Sequence, residues 1–427
     1  MKAVAYILFF ILFITANSAA NSDAKLKQII QRFGLQSVEA PKGFNEAQYR
    51  LGELLFFDPI LSGSKNVSCS SCHSYKAALG DSLPLALGVG AVGEGIERQR
   101  KNKAPIISRN SPALFNVGHE DLVALFWDGR VSYDEDSEEF FTPEAGLNGE
   151  YPKYHEITRV MKSALSAQAL FPMTDHKEML GKNNDLSKKK SRKAVWDGIT
   201  KRLMQHKTYR AYLQHIYPEQ KINIGHIAEA LAHFQKFRFA SFNTPWDQYL
   251  RGDLNALSEN QKRGALVFAG NGRCVVCHNG KLLGGTSFHN VVSPQIGPGF
   301  DIHKNDEGLF YTSNRNSDRY KFRTPMLRNV KYTAPYFHSG AFATIDAVIE
   351  HYVEGANGID NYDSSWLSYF EKNNYGLKLF VETDHYRLFR KKETAHPLMR
   401  AKAIRLSEKE KYLLKDFLMN ALSEKRL

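Results

Sequence analysis

Cysteine is scarce in this chain, with four residues in 427. A disulfide-stapled miniprotein is excluded, because such scaffolds are short and cysteine-dense. Long apolar runs are missing beyond residue 16, and no later segment offers the roughly 20 apolar residues that a membrane-spanning helix needs. Dense charge is rare as well. The one compact basic run, Lys188-Lys189-Lys190-Ser191-Arg192-Lys193, reads as a solvated linker. The other basic residues are scattered, which argues against a nucleic-acid-binding face. β-strand signals are sparse. With 43% apolar and 24% charged residues, long disorder and coiled coil are both excluded. At roughly 100–200 residues per domain the length accommodates two or three domains.

What is present begins with a leader. Lys2, an apolar stretch from Ala3 to Ala16 and the small residues Asn17-Ser18-Ala19-Ala20 have the three-part layout of a secretory signal peptide. Residues 1–20 are expected to be removed, leaving an exported, periplasmic protein with no membrane span. The formal charge of +12 suits steering of an acidic redox partner, or offsetting anionic groups on a bound cofactor.

Helical periodicity marks Asn45 to Phe57, stopped by Asp58-Pro59, and again Ile224, Ile227, Ala228, Leu231 and Phe234, ended by Asn243-Thr244-Pro245. Ser258 and Gln261 form a capping box for a helix through Phe268 that Gly270 and Gly272 close. Glycines crowd Gly88 to Gly95, which reads as an exposed loop. Asp134 to Tyr154, rich in acids, glycine and proline, reads as an irregular surface excursion. The two halves share one plan of helix, glycine-containing loop and Cys-x-x-Cys-His, which suggests a duplicated all-α domain.

All four cysteines fall in Cys69-Ser-Ser-Cys72-His73 and Cys274-Val-Val-Cys277-His278. C-x-x-C-H is the attachment signature of c-type haem: the thiols form thioethers to the vinyl groups and the histidine reaches the iron. A zinc site built from all four cysteines leaves both histidines unexplained, and thioredoxin-like chemistry needs a βαβ context that is missing. Two covalent haems consume every cysteine. Function then turns on the remaining axial positions, since an iron with two protein ligands carries electrons and an open one activates an oxidant.

Further motifs surround these pairs. Leu54-Leu-Phe-Phe-Asp-Pro59, Arg109-Asn-Ser-Pro112, Phe126-Trp-Asp-Gly-Arg130, Thr324-Pro325 with Leu327-Arg-Asn329, and Thr333-Ala-Pro-Tyr-Phe-His338-Ser-Gly340 occur in an order that resembles the bacterial dihaem cytochrome c peroxidase family, including its MauG-like branch. The resemblance implies two cytochrome c-like haem domains packed face to face with a calcium ion between them. It divides the chain at about 240/241: residues 21–240 would form the peroxidatic domain, with a long insertion near 131–167, and 241–427 the electron-transfer domain. His73 would be the proximal ligand of the reactive haem and His278 that of the relay haem. Trp127 matches the tryptophan between the haems. Gln168 and Glu178 match the distal glutamine and glutamate, the latter suited to shuttling a peroxide proton. His338 would line the same pocket, and Asn110, Thr333 and Pro335 match the calcium ligands, an oxygen set that suits a hard cation.

Two departures from the peroxidase pattern carry meaning. Ala91 stands where peroxidases of the family hold a gating histidine, so the reactive iron would be open. Tyr352 stands where they place the relay-haem methionine, as in the MauG-like branch, and a hard anionic phenolate would hold that haem at low potential. Met326 is the rival ligand. His351 is disfavoured because adjacent helical positions point about 100° apart. The reading is an exported peroxidase that reduces hydrogen peroxide through high-valent haem, with electrons from a small cytochrome c or cupredoxin. A second is a MauG-like oxidase of Tyr or Trp side chains on a partner protein, although Gly272 replaces the surface tryptophan that MauG uses. A third is a pure electron carrier, and the sequence leaves room for a homodimer. Denaturation followed by acid extraction is expected to leave two haems per chain by mass spectrometry, whereas haem recovered in the organic phase would refute covalent attachment.

Overall fold

Asn45 caps the first helix of the N-terminal core, its Oδ1 accepting from Gln48 N at 2.9 Å. That helix, Glu46–Phe57, buries Leu51, Gly52, Leu55 and Phe56 against the Ile224–Arg238 helix, which offers Ile227, Ala230, Leu231 and Phe234. At the crossing a Cβ on Gly52 would overlap the Ala230 carbonyl oxygen, so a side chain there would push the backbones apart. The second core repeats the device. Glu259–Ala269, capped by the Ser258–Gln261 box, packs against Glu408–Asp416, and Gly264 lies against the Leu413 carbonyl. In each domain a short 3₁₀ turn, Cys69–Ser71 or Cys274–Val276, then presents the Cys-x-x-Cys-His segment.

A computed structural model describes residues 22–101, 103–301 and 305–425; the leader expected over 1–20 lies outside them. Among the described residues no helix is long and apolar enough to cross a membrane. The fold is mostly helical with a few small strands, two cytochrome c-like domains.

Three features depart from expectation. The helix over 22–33 packs on the second core: Leu26 and Leu35 are buried with Trp246 and Phe417, and Asp23 pairs with Lys262 at 2.8 Å. Residues 22–35 thus pack on the second core rather than the first. The Asp134–Tyr154 excursion is ordered rather than irregular. Val131–Asp134 and Glu139–Phe141 pair antiparallel, Tyr133 opposite Phe140, and Phe140 and Leu147 are buried. Four of its acids, Asp134, Glu135, Asp136 and Glu138, cluster at the turn, where the Asp134 carboxylate accepts from Asp136 N and Ser137 N. Strands of three and four residues are too short to show alternation. The glycine loop, finally, is exposed only in part, since Gly88 N and Val89 N donate to the Pro105 and Lys177 carbonyls.

A segment following the Ile345–Glu354 helix straps the domains together. Tyr375 is fully enclosed, its hydroxyl accepting from Leu85 N at 2.9 Å and donating to Leu85 O at 2.7 Å. Replacing Gly52 or Gly264 by alanine is expected to cost about 1–3 kcal/mol, the usual penalty of overpacking, seen as a lowered denaturant midpoint with unchanged slope. Wild-type midpoints would show that the crossings tolerate a Cβ.

Candidate functional site

Each Cys-x-x-Cys-His segment opens into its own cavity. The first, about 1020 Å³, is lined by Cys69, Cys72 and His73 and by Gln168 and Glu178. The second, about 210 Å³, is lined by Cys274, Cys277, His278, Trp127 and Tyr352. Asn110, Pro112, Ala113, Arg323 and Met326 border both, so they form the partition between them.

The residues present suit c-type haem. His73 Nδ1 lies 3.0 Å from the Leu79 carbonyl and His278 Nδ1 2.9 Å from that of Leu283. A proton held there leaves the Nε2 lone pair free for iron. Burial lowers both imidazoles, His278 to about 4, against the opposing effect of these hydrogen bonds, so both are neutral at pH 7. Burial also pushes the Cys69 and Cys274 thiols up to about 12 and those of Cys72 and Cys277 up to about 11. Such thiols are poor zinc ligands and poor redox nucleophiles. The two pairs line different cavities, which excludes one four-cysteine metal site, and no disulfide joins them.

The elements explain how the side chains arrive. Ser163 caps the helix Ala164–Ala169, which delivers Gln168 to the first cavity. Glu178 follows a 3₁₀ turn, and its segment is pinned to the glycine loop by Val89 N donating to Lys177 O at 3.0 Å. Burial, and then repulsion by Asp175, raises the Glu178 carboxyl to about 7 against the pull of Arg130. Phe141, Thr142, Pro143 and Asn148 from the hairpin region also line this cavity. The insertion therefore builds part of its mouth.

Trp127 lines the second cavity and is tied to two partition residues, its Nε1 donating to Asn110 O at 3.0 Å and its carbonyl accepting from Arg323 N at 2.8 Å. Tyr352 sits in the second cavity, where burial and the two nearby thiols push its phenol up. His351 turns away, its Nε2 2.8 Å from the Val291 carbonyl. Asn110, Thr333 and Pro335 all line the second cavity, and Asn110 Nδ2 donates to the Leu83 carbonyl at 2.7 Å.

His338 is the misplaced expectation. It lines the second cavity and not the first, stacked on Phe322 with ring centroids 3.4 Å apart. Ala91 is not among the residues lining the first cavity, although Gly88 of its loop is. Sequence reasoning also passed over His176 at the first mouth, with Nδ1 2.7 Å from Gly181 O, and His289 and His396, which flank Cys277. None of the three lies in a motif, so only proximity reveals them.

Residues 46–255 match the family model for di-haem cytochrome c peroxidase. The methylamine utilization protein MauG of Methylorubrum extorquens is 27% identical over 374 residues, 86% of this chain and 87% of that protein. The cytochrome-c peroxidase IdrP2 of Denitromonas iodatirespirans is 28% identical over 388 residues, with the same shares covered. Among solved structures, a MauG-like protein associated with microbial copper homeostasis superposes with a TM-score of 0.61 at 24% identity, covering 91% of this chain and 94% of that one. That likeness establishes the fold. With paired Cys-x-x-Cys-His cavities, a tryptophan bonded to the partition and relatives matched along most of their length, this chain belongs to the di-haem cytochrome c peroxidase family of oxidoreductases.

Proposed function

We propose that the protein is an exported, periplasmic peroxidase that reduces hydrogen peroxide in the first cavity with electrons from a small redox protein, an acidic cytochrome c or cupredoxin. The observation that carries this reading is Glu178, a carboxyl raised to about 7 in the wall of the cavity that also holds His73. A group poised near neutrality can take the proton from the near oxygen of peroxide and return it to the far oxygen, which leaves as water. Gln168 offers an amide to orient the same oxygens. The bound haems supply the electrons for O–O cleavage, so that one peroxide, two electrons and two protons yield two waters. His73 and His278 anchor the two irons, and Trp127 provides an aromatic step through the partition. Tyr352 is the second ligand in the other cavity. Asn110, Thr333 and Pro335 supply oxygen atoms for a calcium ion that stiffens the partition.

The presence of Tyr352 in the second cavity favours a second reading, oxidation of tyrosine or tryptophan side chains on a partner protein. A product assay separates the two: turnover with reduced small cytochromes supports the first, and oxidised residues on a co-encoded protein support the second.

The rate of reaction with peroxide is expected to rise with pH as Glu178 ionises, levelling above about 7. Glu178→Gln should remove this dependence and slow the reaction by roughly 10²–10⁴-fold. A pH-independent wild type in stopped-flow mixing would take Glu178 out of the mechanism. With alanine at 91 and no histidine in the 88–95 loop, the fully ferric protein is expected to react with peroxide in one fast two-electron step, a behaviour shortened or lost in Tyr352→Met. If ferric protein is inert until half-reduced, a distal histidine blocks the site, and His176→Ala shows whether it is the one at the mouth.

A further inference from the structure

Among the described residues two buried arginines are ion-paired, and a third, Arg98, spends its nitrogens on the Leu87, Gly88 and Gly93 carbonyls. Arg109 meets Asp306 at 2.7 Å and Asp128 at 2.6 Å, and Arg328 meets Asp247 at 2.6 Å. Arg323 is 6% exposed and faces no carboxylate: its Nε donates to the Phe126 carbonyl at 3.3 Å, and its Nη1 is enclosed without a partner. Burial alone lowers the guanidinium to about 10. An unpaired buried charge costs several kcal/mol, and guanidinium is the side chain best shaped to grip a carboxylate with two parallel hydrogen bonds.

A second orphan lies on the same partition. His338 is 2% exposed and its Nε2 has no partner. Burial, then Lys391 and Arg109, lowers its imidazole well below the usual range, so it is a neutral ring with one N–H to donate. Lys391 adds a further buried positive group, its Nζ spent on the Ser293 carbonyl at 2.8 Å. The nearest acid, Asp306, is committed to both nitrogens on one edge of Arg109. Both orphans border the second cavity, and nothing among the described residues supplies the anion they are built to receive.

We infer that Arg323 and His338 bind the propionate carboxylates of the haem held by His278, Arg323 through a charge-assisted pair and His338 through Nε2–H. This rests on the two-haem reading above, and haem is the one ligand of that reading that brings carboxylates into the cavity. Arg323 then has a second consequence. A cation beside the haem edge favours the ferrous over the ferric iron, so Arg323 raises the potential that Tyr352 lowers. Arg323 and His338 are positioning residues for the relay haem, and His338 has no part in the peroxide pocket.

Spectroelectrochemical titration of the holoprotein at pH 8 tests the inference, together with the low-frequency resonance Raman bands of propionate bending. Arg323→Met is expected to shift the ferrous-to-ferric ratio of the relay haem at a fixed poise at least tenfold toward ferric, or 59 mV for a one-electron couple, and to move one propionate band. Arg323→Lys should stay within about threefold of wild type, since it keeps the charge. His338→Phe should move a propionate band with a smaller change in ratio. Should Arg323→Met fail to mature, Arg323→Lys and His338→Phe decide the matter. Wild-type bands in both, or equal shifts in Arg323→Met and Arg323→Lys, would overturn the assignment. Absence of covalent haem from the wild-type protein would instead overturn the two-haem reading.

Discussion

Arg109 holds the two domains in register. Its guanidinium is buried, bonded on one edge to both oxygens of Asp306 and on the other to Asp128, with the Phe300 ring 4.5 Å away. Asp306 belongs to the C-terminal half and Asp128 to the N-terminal half. Removing one partner from such a cluster typically costs about 3–5 kcal/mol, because the other charge stays buried. Its larger effect is positional. Asn110 follows Arg109, Trp127 precedes Asp128, and the two are themselves joined through Trp127 Nε1 and the Asn110 carbonyl. One ionic cluster therefore sets the partition between the cavities and the indole bonded to it.

Around that partition the domains are alike where they hold a haem and unlike where chemistry differs. Both proximal histidines use the same backbone-carbonyl anchor, and both helix crossings use a glycine against a carbonyl. The distal sides diverge. The first cavity is large, is lined in part by the hairpin region, and carries a carboxyl raised to about 7. The second is small and holds a phenol within reach of the cysteine pair. The two seats are alike in their backbone anchors, and a few side chains make their surroundings different.

Much of this was legible along the chain. Helix starts at Asn45 and Ser258 are written in residues that act over three positions, and the C-x-x-C-H spacing places thiols and imidazole on one short turn. Gln168 and Glu178 also lie together in one cavity, as their motif implies. The hairpin at 131–141 was not legible, because its strands are too short to alternate and its turn acids dominate the composition. His338 looked like a pocket residue from its motif, but stacking on Phe322 turns it to the other side of the partition.

The sequence by itself determined that there are two Cys-x-x-Cys-His seats, the thiols and imidazoles that make them, and the helices that carry them, since each depends on residues only a few positions apart. Tertiary structure alone decided which cavity His338 faces, that residues 22–35 complete the C-terminal core, and that Arg323 lacks a counter-charge. Those outcomes depend on groups that lie far apart in the chain. Local spacing carries no record of them, because burial and pairing are properties of what packs around a side chain rather than of the side chain itself.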